Sequence, residues 1–234
     1  MQLPYFFEEN IPTSGNFFLS EVSSKHIAQV LRMKEGEELN IINGKGDLLT
    51  TSVVIANKRK TEVTIKNWKA YSKSNQKISV AISPIKNNNR FEWFLEKATE
   101  IGVSEIIPVI CNRTEKNSMK VERMHNIIVS AMLQSRQAWM PELKETVQFP
   151  EIIKSAGYEQ KFIAHCNDSE KKTLKGFDTG NFSRIILIGP EGDFTENEIN
   201  AAGQNNFIPV SLGETRLRTE TAGIVAAVLL MNKF

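Results

Sequence analysis

The sequence predicts an α/β protein in two parts: a small β-rich region over residues 1–70 and a larger region over 78–234 in which strands and helices alternate. Three observations carry this prediction. Strand-like runs flank an Asn-Gly pair in the first part. The hydrophobic residues lapse over 71–77, which reads as a linker. Beyond it, continuous apolar runs of strand length alternate with helical 3–4 spacing. With 41% hydrophobic and 24% charged residues in 234, the chain can bury a core without disulfides or metal staples.

In the first part, Glu38 to Ile42 leads into Asn43-Gly44 and the chain resumes with Leu48 to Ile55. Asn-Gly between two such runs signals a hairpin, because both turn residues accept positive φ. Thr61 to Ile65 alternates β-branched and polar residues, as a further strand does. One helix interrupts them, capped by Ser23 or Ser24, with Ile27, Val30 and Leu31 as its apolar stripe and Gly36 just past its end. A small barrel with one helix accommodates these elements. In the second part, Ile78 to Ser83 is a strand, and Asn87 to Asn89 starts a helix bearing Phe91, Phe94, Leu95, Ala98 and Ile101, ended by Gly102. Glu105 to Ile110 is the next strand. Val121, Met124, Ile127, Ile128 and Ala131 mark a second helix, which stops by Pro141. Later strands are Phe162 to Cys166, Arg184 to Ile188 and Phe207 to Ser211, with helices from Thr195 and from about Thr221. Such alternation implies a mostly parallel sheet covered on both faces.

Composition narrows the function classes. No apolar run reaches the roughly 18 residues of a membrane span; the longest is Ala222 to Met231. Met1-Gln2-Leu3-Pro4 lacks the basic and apolar regions of a signal peptide, so a cytoplasmic protein is expected. Cys111 and Cys166 are too few and too far apart for a disulfide framework, and no metal site is expected. The net charge is only +2, so any affinity for nucleic acid must come from a local patch.

Two loops stand out. The apolar strand Ile185-Ile186-Leu187-Ile188 breaks at Gly189-Pro190-Glu191-Gly192, and Thr195 with Glu198 three residues later forms a capping box that starts a helix. Ligands of open α/β sheets bind outside the carboxyl ends of strands, where this loop falls, and glycines there expose bare backbone. The second loop, Ser211-Leu212-Gly213-Glu214-Thr215-Arg216-Leu217-Arg218-Thr219-Glu220-Thr221-Ala222, leaves another strand through glycine and enters an apolar helix with Ala222, Val225, Ala226 and Leu229 on one stripe.

Taken together, Gly-Pro-Glu-Gly after an apolar strand and Ser-Leu-Gly…Leu-Arg-Thr-Glu-Thr-Ala some twenty residues on resemble the C-terminal signature of the SPOUT methyltransferases. The chain more closely resembles the ribosomal RNA small subunit methyltransferase E family. His26 to Lys34, with Gly36 and Asn43-Gly44, is similar to that family's PUA-like N-terminal RNA-binding barrel. Phe91 to Gly102 is similar to its first catalytic-domain helix, and Gln134-Ser135-Arg136 to the polar turn late in its second. Two departures are visible: Asp193 stands where the family more often has a second glycine, and Tyr5-Phe6-Phe7 lacks the arginine expected beside the aromatics.

The resemblance implies a trefoil-knotted α/β domain that binds S-adenosylmethionine, works as a homodimer and methylates N3 of a uridine in 16S rRNA or the small ribosomal subunit. It places the cofactor against Leu187, Gly189, Pro190, Glu191 and Gly192 of the first loop. From the second loop come Leu212, Gly213, Leu217, Arg218, Glu220, Thr221 and Ala222, with Leu212 and Leu217 packed on the adenine. Uridine N3 is protonated at neutral pH, so the site needs a proton acceptor and a cation for the charge spreading onto O2 and O4. Glu220 or Glu191 is the candidate acceptor. Arg136 and Arg113 are the candidate cations, with Arg218 nearer the cofactor. RNA contacts are expected from His26, Arg32, Lys34, Gln134 and Arg136, with Lys58-Arg59-Lys60 alongside. The alternatives are a related knotted methyltransferase acting on another RNA and a noncatalytic RNA-binding ribosome-assembly factor.

Overall fold

The structure, a computed structural model, describes residues 3–115, 119–154, 157–168, 170–177 and 180–231. The chain divides into two compact units, Met1–Lys73 with Val129–Met140, and Ser74–Ile128 with Pro141–Phe234. In the first, strands β1 (Tyr5–Phe7), β2 (Asn16–Phe18), β3 (Glu38–Ile42), β4 (Asp47–Ile55) and β5 (Glu62–Ala70) form one sheet in the order β1-β3-β4-β5-β2. Only β1 and β3 run parallel. Phe6, Leu19, Ile27, Leu39, Ile41, Leu49, Val53 and Val63 fill its core.

The helix of this unit departs from the predicted pattern. Its cap is Ser20, whose hydroxyl accepts from the Ser23 amide, and helix α1 covers only Glu21–Lys25. His26–Leu31 continues as a π-helical turn, with Arg32 at φ 54° donating its amide back to the Ile27 carbonyl. A π turn takes more residues per turn than an α turn, so the 3–4 register behind the predicted stripe fails. Ile27 is buried, while Val30 and Leu31 face solvent. The Asn43-Gly44 hairpin also differs. The connection has four residues, with Gly44 and Gly46 at positive φ and the Asn43 side chain accepting from the Lys45 and Asp47 amides. Gly46 is required there, since a Cβ would lie 2.5 Å from the Trp139 ring. β5 runs five residues past the predicted strand end, and residues 66–70 are exposed.

The second unit holds β6 (Ile78–Ile82), α2 (Asn88–Ile101), β7 (Glu105–Ile110), the start of α3 (Val121–Ser135), β8 (Glu142–Leu143), β9 (Val147–Gln148), α4 (Phe149–Ile152), β10 (Gln160–Ala164), β11 (Lys172–Thr173), β12 (Arg184–Ile188), α5 (Glu196–Gln204), β13 (Ile208–Ser211) and α6 (Thr219–Met231). Its strands take the order β11-β13-β10-β12-β6-β7-β8, with β9 also on β7, and every pairing is parallel. The short elements β8, β9, α4 and β11 carry no periodicity and were not predicted. α2 ends as expected, with Gly102 at φ 91° closing it through bonds to Ala98 and Thr99. α6 lies so close to the sheet that a Cβ on Gly223 would sit 2.7 Å from Phe94 and 2.9 Å from Ile82. Its buried stripe is therefore Gly223, Ala226, Ala227 and Leu230, not the predicted Ala222, Val225, Ala226 and Leu229. Among the described residues, no helix is long and apolar enough to cross a membrane.

Candidate active site

The sheet order sets the loops after β13, β10, β12 and β6 side by side at the carboxyl ends of their strands, where α/β sheets bind ligands. The loop after β12 is closely held. A Cβ on Gly189 would meet the Phe194 ring at 3.1 Å. The Gly192 carbonyl accepts from Arg113 Nη1 at 2.7 Å. Asp193 has φ 62°, a left-handed conformation that glycine adopts freely and Asp or Asn tolerate best among the rest. Its carboxylate accepts from the Cys166 amide at 2.8 Å and the Phe194 amide at 2.8 Å. The side chain thus fastens this loop to the neighbouring one, which a glycine could not do. The predicted capping box is present: Thr195 Oγ1 accepts from the Glu198 amide, and Glu198 accepts from the Thr195 amide. Glu198 also accepts from the Asn112 amide at 2.8 Å. By contrast, the loop after β13 is held mainly by the Ser211 hydroxyl on Gly213 and by the Ala222 amide on the Arg218 carbonyl.

Two adjoining cavities open between these loops, of about 450 Å³ and about 430 Å³. They share Ala164, Cys166, Arg216, Leu217 and Ala222 as a common wall, and each has the volume of a small-molecule site. The first is strongly charged. Arg90 stands with Nη1 3.9 Å from Glu191 and Nε 3.7 Å from Glu220 Oε1. Glu220 is only 6% exposed, and its Oε2 has no hydrogen-bond partner among the described residues. The second cavity is lined by His165, which is 8% exposed with neither ring nitrogen partnered among the described residues. Burial, with Lys171 alongside and Asp193 opposing, holds that imidazole below the ordinary histidine range, so it is neutral at pH 7. Buried polar groups in proteins almost always find partners. Two exceptions in adjoining cavities fit a ligand that supplies them.

The sequence-predicted residues separate into groups. Gly189, Pro190, Glu191, Arg218 and Glu220 line the first cavity, Leu212 and Gly213 the second, and Leu217 and Ala222 both. Leu187 is 1% exposed within the apolar core, so the strand presents Ile188 to the cavity instead. Gly192 and Thr221 line neither cavity. Arg113, exposed, braces the first loop through the Gly192 carbonyl. Gln134 and Arg136 belong to the first unit, where Arg136, at φ 55°, sets its guanidinium 5.9 Å from the Tyr5 ring centroid. His26, Arg32 and Lys34 are exposed on that unit as well, and His26 meets the Phe6 ring edge-on at 5.6 Å. Among the described residues, no three His, Cys, Asp or Glu gather as metal ligands.

The RNA methyltransferase domain matches residues 72–231, and the RNA methyltransferase PUA domain matches residues 20–66. The chain belongs to the RNA methyltransferase family. Ribosomal RNA small subunit methyltransferase E of Rickettsia conorii is 28% identical over 88% of this chain and 86% of its own. A probable rRNA-methyltransferase from Porphyromonas gingivalis superposes with a TM-score of 0.92 at 34% identity, over 98% of each chain. Ribosomal RNA small subunit methyltransferase E from Neisseria gonorrhoeae, solved bound to S-adenosyl methionine, gives 0.87 at 27% identity, over 99% of this chain and 98% of that one. The RNA methyltransferase fold therefore stands here as an α/β domain preceded by a small PUA-like domain.

Sequence reasoning missed three features that this family membership makes relevant. Arg90 falls in no motif of the sequence. His165 falls in no motif either. The exposed aromatics of the first unit went unremarked, although Lys60 lies 4.0 Å over Phe18, Lys69 lies 4.3 Å over Tyr71 and Lys73 lies 5.4 Å over Trp139. Of these pairs only Lys69 and Tyr71 are near in sequence; the partners in the other two come from distant stretches of the chain.

Proposed function

We propose that this chain transfers the methyl group of S-adenosylmethionine to N3 of a uridine in 16S rRNA, with the small ribosomal subunit as its substrate. The observation that carries the reading is the pair of loops enclosing adjoining cavities with unpartnered buried polar groups, in a chain of this family. Relatives named as ribosomal RNA small subunit methyltransferases and a neighbour solved with S-adenosyl methionine support it. The residues that line the cavities would hold the cofactor: Gly189, Pro190, Glu191 and Arg218 on one side, Leu212 and Gly213 on the other, and Leu217 and Ala222 between. When bound, the cofactor supplies an electrophilic methyl on a positively charged sulfur. The chain's own residues must bind and orient the base, take the N3 proton and exclude water.

The finer architecture belongs to the same proposal. Residues 1–70 form the RNA-binding domain, 71–77 the linker, and 78–234 a trefoil-knotted catalytic domain. The return of α6 from the edgeward β13 to pack on β6 supports the knot. RNA is met by His26, Arg32, Lys34, Gln134 and Arg136, and by the lysine-flanked aromatics Phe18, Tyr71 and Trp139, on which unstacked bases can lie. Ile224, Val225, Val228 and Leu229 of α6 remain half-buried, and a second copy of this chain would cover them as a homodimer. Ribosomal subunits place the reaction in the cytoplasm.

The test is methyl transfer from labelled S-adenosylmethionine to small ribosomal subunits lacking the modification, followed by nucleoside mass spectrometry. The expected product is 3-methyluridine. Transfer to a different atom or a different RNA overturns the target. Absence of both transfer and cofactor binding overturns the enzyme.

A further inference from the structure

Glu220 and Glu191 enter the first cavity from different loops, and the structure treats them differently. Glu191 is exposed, and both its oxygens have partners: Oε1 faces Arg90 at 3.9 Å and Oε2 accepts from the Lys86 amide at 3.4 Å. Glu220 is buried, faces Arg90 through Oε1 at 3.7 Å, and leaves Oε2 without a partner among the described residues. A buried carboxylate is tolerated when a cation offsets its charge, and a lone pair left unpaired still costs free energy. Arg90 supplies that cation from the first turn of α2, where Asn87 caps the helix and the Arg90 amide bonds the Asn87 carbonyl at 3.2 Å. Its two carboxylate contacts exceed hydrogen-bond length. The guanidinium therefore acts here as a placed charge, without a bidentate fork.

We infer that Arg90 is a positioning residue that holds Glu220 by one oxygen so that the other receives the N3 proton of the target base. This rests on the methyltransferase reading above and deepens it. In the step, the N–H bond breaks and its proton passes to Glu220 Oε2. The freed N3 pair forms the new bond to the methyl carbon, and the carbon–sulfur pair stays on sulfur. No further reactant is needed, and the product complex holds a protonated carboxyl that returns its proton to water. The charged groups around Glu220 are Arg90 from α2, Glu191 and Asp193 from the loop after β12, and Arg216 and Arg218 from the loop after β13. Arg90 is the only one of these cations in ion-pair contact with it among the described residues.

The experiment measures turnover at saturating substrate on small subunits lacking the modification, alongside calorimetric affinity for S-adenosylhomocysteine. It compares wild type, Glu220→Gln, Arg90→Ala and Arg90→Lys. Glu220→Gln should lower kcat by about 10²–10⁴-fold, with cofactor-product affinity within about threefold of wild type, since uncoupled sites act independently. Arg90→Ala should lower kcat by about tenfold or more, because the carboxylate loses its placement, with cofactor-product affinity again within about threefold of wild type. Arg90→Lys should restore most turnover, since the contact works as charge without a fork. If Glu220→Gln loses affinity with saturated turnover unchanged, Glu220 serves the cofactor's ammonium group and the inference falls. An unchanged kcat in Arg90→Ala, or no rescue by lysine, also overturns it. If wild type itself binds S-adenosylhomocysteine yet methylates no uridine, the function reading fails first and takes this inference with it.

Discussion

Two glutamates of the catalytic unit are equally buried, at 6% exposure, at opposite ends of its strands. Glu105 opens β7 at the amino end. Its Oε2 accepts from Ser79 at 2.7 Å and from Tyr158 at 2.8 Å, and its Oε1 faces Lys77 at 3.0 Å and Lys144 at 3.6 Å. Glu220 stands at the carboxyl end with one distant arginine and one bare oxygen. Burial raises the Glu105 carboxyl, but the bonds from Ser79, Tyr158 and Lys77 outweigh it and hold it below the usual carboxylate range. The difference separates a group the fold completes from a group it leaves for a ligand, and burial alone does not distinguish them.

If that contrast is right, the two ends respond oppositely to mutation. Glu105→Ala leaves the Ser79 and Tyr158 hydroxyls without their acceptor and should cost about 3 kcal/mol, from two hydrogen bonds to a charged group at about 1.5 kcal/mol each. Affinity for S-adenosylhomocysteine should stay put once the variant is folded. Urea unfolding and calorimetry on the same sample decide it. A variant that keeps its stability but loses cofactor affinity would erase the distinction between the two ends.

A smaller effect sharpens the contrast within the carboxyl end itself. The loop after β12 is held by the chain's own hydrogen bonds, and Asp193 supplies two of them. Asp193→Ala loses two hydrogen bonds to backbone amides and places a Cβ-bearing residue with no local bond at φ 62°. The expected cost is about 2 kcal/mol. Asp193→Gly removes the same carboxylate but accepts the backbone, so it should recover about 1 kcal/mol of that loss. Equal stabilities for the two variants would show that the left-handed conformation contributes nothing.

What the sequence revealed and hid follows the same division. The strand Arg184–Ile188, the glycine break after it and the Thr195–Glu198 capping box were legible because each is fixed within a few residues. The second unit's alternating pattern gave the parallel sheet for the same reason. Arg90 and Glu220 are 130 positions apart, and Glu105 and Tyr158 are 53 apart, so no local pattern pairs them. Val30 and Leu31 misled because a π turn breaks helical register without any residue announcing it. The three-residue strands β1 and β2 are too short to show alternation. Glu220 itself was legible as a candidate, but its unpartnered oxygen and Arg90's place beside it exist only in three dimensions.

The smallest expected effect tests the amino end by pH. Glu105 titrates below its unfolded value of about 4.3, so its contribution is complete above that pH and is lost as pH falls through the lowered folded value. Tyr158, raised to about 12 by burial first and by Glu105 next, remains a protonated donor across this whole range. Tyr158→Phe deletes one of the bonds that hold Glu105 down, which should cost about 1 kcal/mol at pH 7. With that bond gone the folded carboxyl titrates nearer its unfolded value, so the variant should lose less stability on acidification than wild type does. Urea midpoints measured from pH 7 to about pH 2.5 should therefore differ most at neutral pH and converge in acid. On the alkaline side, wild type alone should lose tyrosine-linked stability as pH rises from about 10 toward 12. A gap that stays constant from neutral to acid would mean that Tyr158 packs against this end of the sheet without setting the charge of Glu105.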